Sequence, residues 1–268
     1  MYKYEGHVIY ESYDEEGIIE IVEQKGIRSL HFGTQAQQST ISLAEPDKLH
    51  LNYVKAMTSW LLFKDTLDNA LLVGLGGGSL TKHLLHHFSE CRLKVVEYRK
   101  GVVKIARTYF SLPLDPRLKI VVDDGGEYIR QRYEKYREHY SLIFIDAFDH
   151  EGVAPSVRSE AFFDACKASL KKDGILVMNL WGGTSNPEFQ QISLWLGRVF
   201  NWQTLFLPVN DKSNIIALAF NDYTPTHTLK DLRLKAIDLQ EQYQIDFSVF
   251  LRDLKKHNAS TFNQVIKK

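Results

Sequence analysis

The stretch Ala70-Leu-Leu-Val-Gly-Leu-Gly-Gly-Gly-Ser79, with Glu97 closing the run Leu93-Lys-Val-Val-Glu97 further on, constrains the fold more than any other part of the chain. Its short apolar run predicts a buried strand over 70–74, and a helix over 79–88 comes after the glycine-rich turn. Glycine suits such a turn because it accepts positive φ and lets a ligand come closer than a Cβ would permit. The helix beyond it presents unpaired N–H groups at its first turn. Glu97 ends the next predicted strand, 93–97, where a carboxylate can accept both hydroxyls of a ribose. The unit is that of a site for a nucleoside or a dinucleotide.

Strands and helices alternate through the central part of the chain. Further strands are predicted at 118–122, 141–145 and 174–179, and helices at 99–110, 126–138, 158–171 and 186–200. That order argues for α/β architecture, a doubly wound parallel sheet of Rossmann-like type. Strands at 203–208 and 214–220 read as an antiparallel pair ending it. Ahead of this region, residues 7–43 alternate in the strand manner, with Glu15-Glu-Gly17 and Lys25-Gly26 as hairpin signals. They predict a small antiparallel N-terminal sheet suited to a lid or to the contact of a homodimer or higher homo-oligomer. Pro46-Asp47 opens a helix expected over 49–63. Residues 228–257 carry helical periodicity, and the tail beyond is expected to fray. The expected division is 1–48 (β domain), 49–223 (nucleoside-binding catalytic domain) and 224–268 (helical extension).

Composition removes several classes of function. Lys plus Arg and Asp plus Glu are 33 each, so no basic field argues for nucleic acid. The N-terminus lacks an apolar leader, and no apolar run approaches the length of a membrane span, so a soluble, cytoplasmic protein is expected. Cys91 and Cys166 suit a reducing compartment and give no metal-ligand spacing, so no metal is expected. His83, His86 and His87 share one helix face but lack an accompanying carboxylate or thiol, and are read as a solvated face. Trp195, Phe200 and Trp202 are read as core, and Trp181-Gly-Gly183 as a strand-end loop that could border a substrate pocket.

In an open parallel sheet the ligand lies beyond the carboxyl ends of the strands. Three such ends carry acids here: Glu97, Asp123-Asp124-Gly125 and Asp146-Ala-Phe-Asp149. Any one alone reads more readily as a helix cap or a solvated loop residue. Three around one glycine loop point to a ligand, with Asp124 placed to accept from an adenine amine and Asp146 and Asp149 near the reacting end.

Gly74, Gly76 and Gly78 have a spacing that resembles motif I of class I AdoMet-dependent enzymes, whereas a dinucleotide fingerprint would want glycine in place of Ser79. Residues 70–180 resemble the spermidine synthase (polyamine aminopropyltransferase) family. Val121-Val-Asp-Asp-Gly-Gly-Glu-Tyr128 is similar to its adenine segment, and Ile145-Asp-Ala-Phe-Asp-His-Glu-Gly152 to its D-x-x-D-P-x-G active-site loop. Glu160-Ala-Phe-Phe163 and Leu170-Lys-Lys-Asp-Gly-Ile175 fit the family's next helix and strand. The resemblance implies an AdoMet-methyltransferase-type sheet behind an N-terminal β-domain. It also implies that Asp146 takes the proton of the attacking amine, Asp149 holds the amine substrate, Asp124 and Gly125 bind adenine, and Glu97 binds ribose. Gln38 and Tyr53 match a substrate-binding glutamine and tyrosine of the family.

The departures fall on the amine side. Gly77 stands where the family's loop carries an aspartate that contacts a substrate amine. His150 and Val153 replace prolines, Lys55 replaces an acid, and Pro208-Val-Asn-Asp211 replaces a tyrosine-proline segment. The expected activity is aminopropyl transfer from decarboxylated AdoMet to a small amine such as putrescine, releasing methylthioadenosine. A methyltransferase using intact AdoMet stands as the alternative, since losing the acid at Gly77 would leave room for a methionine carboxylate. A non-catalytic nucleoside-binding module is the third reading.

Overall fold

A computed structural model describes residues 3–148, 152–183, 185–210 and 213–267. Four strands, β1 (His7–Asp14), β2 (Gly17–Gln24), β3 (Ile27–His31) and β4 (Ser39–Ser42), form an antiparallel meander in that order. The turns Glu15-Glu16 and Lys25-Gly26 set its register, pairing Asp14 with Gly17 and Gln24 with Ile27. Ile19, Ile21, Leu30 and Ile41 face the core, while the edge strand β1 stays mostly exposed.

The segment expected as one helix over 49–63 instead divides. A short α1 (Asn52–Ala56) passes into a 3-10 turn over Met57–Leu62. The Thr58 hydroxyl donates to the Lys55 carbonyl at 2.6 Å, an alternative to the helical ladder that serine and threonine often supply. Every residue of the 3-10 turn is buried.

The main sheet then alternates with helices: β5 (Asn69–Val73), α2 (Ser79–His87), β6 (Arg92–Glu97), α3 (Lys100–Tyr109), β7 (Leu118–Val122), α4 (Gly125–Arg132), β8 (Tyr140–Ile145), α5 (Glu160–Ser169), β9 (Leu170–Trp181), α6 (Pro187–Val199), β10 (Thr204–Pro208) and β11 (Asn214–Phe220). The strand order is β10-β11-β9-β8-β5-β6-β7. β5 to β9 run parallel, and β11 inserts antiparallel between β9 and β10. The order reverses at β5, with β6 on one side and β8 on the other, which is where a doubly wound sheet opens a ligand crevice. α4 ends at Arg132, short of the expected 138.

Helices α7 (Leu229–Tyr243) and α8 (Phe247–His257) come next, and a capping box between Thr228 and Asp231 fixes the start of α7. The terminal segment does not fray as expected: α9 (Phe262–Val265) buries Phe262 and Val265 in the same core as Ile19 and Leu72. The histidine face expected to be solvated is half inside, because α7 covers it. His83 is buried, with its ring 4.4 Å from that of His87 and 5.7 Å from that of Tyr243. Burial and the neighbouring His87 and His86 push its pKa down to about 3, so it is neutral. Trp202, expected in the core, is 49% exposed, while Phe200 is buried. Among the described residues no helix is long and apolar enough to cross a membrane, and no group of His, Cys, Asp and Glu is arranged to hold a metal ion.

The N-terminal sheet is tied to the rim of the main sheet by polar contacts. Arg99, just beyond Glu97, donates to both carboxylate oxygens of Asp14, at 2.6 and 3.0 Å, and to the Gly17 carbonyl at 2.9 Å. Its guanidinium also lies over the Phe32 ring. Arg28 donates to the Tyr109 carbonyl at 2.7 Å, and Ser79 Oγ sits 3.3 Å from Ser39 Oγ. The meander therefore reaches the glycine loop, and its last turn becomes a wall of the crevice.

Candidate active site

The glycine turn leaves β5 with Gly74 at φ 95°, in the left-handed region. A Cβ there would lie 2.1 Å from the Asp146 carbonyl oxygen, so only glycine lets the end of β5 pass the end of β8. The Asp146 N–H donates to the Val73 carbonyl at 2.8 Å, which fixes loop and acid relative to each other. Gly76 comes next in the turn, and Gly78 caps α2.

Glu97 turns beneath this loop and is buried. One carboxylate oxygen accepts the Leu75 N–H and the other the Arg99 N–H, each at 2.8 Å. Burial raises its pKa against the opposing effect of the Arg99, Leu75 and Gly76 amides. The three amides take three of the roughly four lone-pair sites of the carboxylate and leave one for a ligand hydroxyl. Asp124 takes the helix-cap reading open to it. It is the N-cap of α4, with Oδ1 accepting the Glu127 N–H at 2.8 Å, and it stands at the rim with Gly125 opening the helix behind it.

A cavity of about 30 Å³ lies between the two sheets, and Gln38, Ser39, Tyr53, Gly74, Gly76 and Asp146 are among its lining. Five residues predicted from distant parts of the chain thus meet at one space, which holds a single water- or ammonium-sized group. Glu97, Gly78, Asp124 and Gly125 lie outside that lining, along the adjoining loop and rim. Asp149 lies outside the described residues, as does His150. Val153, at a position where the resembled family has proline, is buried and bridges to Phe148.

Asp146 is held by neutral groups. Its Oδ1 accepts the Asn179 amide at 2.9 Å, and the Tyr53 hydroxyl contacts it from α1. That hydroxyl lies 3.1 Å from the Gln38 carbonyl, and its single proton serves one of the two oxygens at a time. Burial raises the pKa of Asp146 against both hydrogen bonds. Burial and the Asp146 charge together raise Tyr53 well above the usual tyrosine range, so it remains a phenol. Among the described residues no Lys, Arg or His pairs with Asp146. A desolvated carboxylate without a cation attracts one from solution.

Asn179 escaped the sequence reading, as did Asn214, whose amide donates to the Asn179 carbonyl oxygen at 3.0 Å. The signal was present: Asn179 interrupts the apolar run Ile175-Leu-Val-Met-Asn-Leu180 near a strand's carboxyl end, and a buried amide there needs partners. The region around Gly77 corrects another expectation. Rather than leaving room, the missing side chain is replaced by neighbours: a Cβ at Gly77 would lie 2.6 Å from Phe110 Cδ1 and 2.7 Å from Ser39 Oγ.

The spermine/spermidine synthase domain matches residues 52–191. The chain is 34% identical over 242 residues to the polyamine aminopropyltransferase of Neisseria meningitidis serogroup A, covering 90% of each. Its fold matches a spermidine synthase solved in complex with the transition-state analogue AdoDATO, with TM-score 0.68, 19% identity and coverage of 94% of this chain and 88% of the other. It also matches human methyltransferase-like protein 13 in complex with SAH, with TM-score 0.66, 22% identity and coverage of 73% and 93%. With the family domain reaching from Tyr53 through Asp146 to Asn179 and the relative matched along nearly its whole length, the chain belongs to the spermine/spermidine synthase family.

Proposed function

We propose that the protein is an aminopropyltransferase, moving an aminopropyl group from decarboxylated AdoMet to a small primary amine such as putrescine and releasing methylthioadenosine. The observation that carries this reading is Asp146: a half-buried carboxylate, lining a cavity of ammonium size, whose partners among the described residues are neutral. Family membership and the relatives' names support the same activity.

The chemistry sets the requirement. A primary amine has a pKa near ~10, so at neutral pH it is protonated, and freeing its lone pair costs about 4 kcal/mol. Asp146 accepts that proton, giving a neutral amine and a neutral acid. The raised pKa of Asp146 narrows the gap between the two groups and makes it a stronger base than an exposed aspartate. The amine nitrogen then forms a bond to the carbon next to the sulfonium, the carbon–sulfur bond breaks, and its electron pair neutralises the sulfur. The rest is alignment within a closed site. Glu97 and the amides of the 74–78 loop would grip the ribose, and Asp124 the adenine amine. Tyr53, Gln38 and Asp149 would hold the acceptor.

Thermal unfolding in the presence of methylthioadenosine, AdoMet and decarboxylated AdoMet tests the reading. Stabilisation by methylthioadenosine and decarboxylated AdoMet is expected. Stabilisation by AdoMet alone would favour the methyltransferase, and no shift with any of the three would favour a vestigial pocket.

A further inference from the structure

We propose that Asn214 is a positioning residue that fixes which end of the Asn179 amide faces Asp146. The inference rests on the reading of Asp146 as the proton acceptor, and it concerns how that acceptor is tuned. β9 and β11 are antiparallel neighbours, with Ile216 opposite Asn179 and Asn214 opposite Trp181. Asn214 and Asn179 therefore project from the same face of the sheet. The Asn214 Nδ2 donates to Asn179 Oδ1 at 3.0 Å, and Asn179 Nδ2 donates to Asp146 Oδ1 at 2.9 Å.

The direction of this chain is dictated by chemistry. A carboxylate only accepts, so Asn179 must offer it the NH₂ end, which turns the Asn179 carbonyl oxygen towards β11. Asn179 is 3% exposed, and a buried carbonyl oxygen left without a donor would be costly. Asn214 supplies that donor. Its own backbone is held in the hairpin, its carbonyl accepting the Val209 N–H at 2.9 Å. The other donor to Asp146, the Tyr53 hydroxyl, divides its one proton between Asp146 and the Gln38 carbonyl. The Asn179 amide is thus the donor committed to the carboxylate, and Asn214 commits it. Tyr53, from α1, is the titratable group that faces Asp146 among the described residues; no charged side chain faces it from β9 or β11.

Substitution at 214 separates this role from a merely structural one. Asn214→Leu removes the donor without adding charge. Asn214→Asp replaces it with an acceptor, which asks the Asn179 amide to reverse. Asn214→Gln keeps a donor and serves as the conservative rescue. The pH profile of kcat/KM for the amine is measured alongside a carbon-13 titration of the aspartate carboxyls, with the Asp146 signal identified by its loss in Asp146→Asn. In Asn214→Leu the acid limb and the carboxyl midpoint should both move up by about half to one pH unit, the change expected from one lost hydrogen bond. Asn214→Asp should move them further, and Asn214→Gln should restore them. The affinity for methylthioadenosine should stay the same in all three. An unmoved carboxyl midpoint in both Asn214→Leu and Asn214→Asp would overturn the proposal. A midpoint that moves in a protein showing no aminopropyl transfer would uphold the positioning role and defeat the proposed activity instead.

Discussion

Asp146→Asn should make the protein more stable and inactive at once. Burial raises the pKa of this carboxyl in the folded chain, against the hydrogen bonds from Asn179 and Tyr53. A group whose folded pKa lies above its unfolded value stabilises most when protonated, and that contribution fades as pH rises through the folded value. At neutral pH the wild type therefore carries the cost of a charge in a desolvated site, at about 1.4 kcal/mol for each unit of elevation. The amide carries none, and its oxygen can still accept from Asn179. The unfolding midpoint of Asp146→Asn should exceed that of the wild type near pH 7.5, by roughly 2–4 °C per kcal/mol in a protein of this size. The two curves should converge as pH falls to about 4 and below, where the wild-type carboxyl becomes protonated in both states. Transfer should fall by about 10²–10⁴, the usual contribution of a positioned general base. Thermal scans between about pH 4 and 8, paired with turnover measurements, test both halves. A variant less stable than wild type at about pH 7.5, or one with unchanged turnover, would refute the reasoning.

Gly77→Asp, which restores the residue expected from the family pattern, should destabilise by about 1–3 kcal/mol because its Cβ meets Phe110 and Ser39. Chemical denaturation checks this, and adding Phe110→Leu should recover part of the loss relative to Phe110→Leu alone. Glu97→Gln keeps the shape beneath the loop but replaces one acceptor oxygen by a donor. Affinity for methylthioadenosine should fall about 10–100-fold by calorimetry, in line with ~1.5–3 kcal/mol for a charged hydrogen bond, and equal affinity would contradict the ribose assignment. The acid limb of kcat/KM for the amine should lie above the ordinary aspartate range, because burial raises Asp146. A limb at or below that range would mean another group accepts the proton.

The glycine loop, the alternation of strands and helices, and the acids at the strand ends made the sheet and its acidic rim legible, because each is a local pattern with a local cause. What escaped the reading depends on packing between distant segments. His83 has a solvated neighbour on its own helix, yet Tyr243 of α7 covers it, and no feature of residues 79–88 announces that cover. The 3-10 turn at 57–62 and the buried end helix likewise belong to tertiary burial rather than to periodicity. Gly77 looked like a gap when read alone; it is a contact, filled by Phe110 from α3's end and Ser39 from β4. Gln38 and Tyr53 could be named from the resemblance, but that both line the cavity beside Asp146 depends on how the meander and α1 pack against the main sheet. The amide chain from Asn214 was visible only once β11 was seen to insert beside β9.

The most direct test of the account is product analysis by mass spectrometry after incubating the protein with decarboxylated AdoMet and a panel of primary diamines. Equimolar methylthioadenosine and an acceptor heavier by one aminopropyl group are expected, both formed about 10²–10⁴-fold more slowly by Asp146→Asn. Methylated acceptor and S-adenosylhomocysteine from intact AdoMet, with no aminopropylated product from the decarboxylated donor, would contradict it.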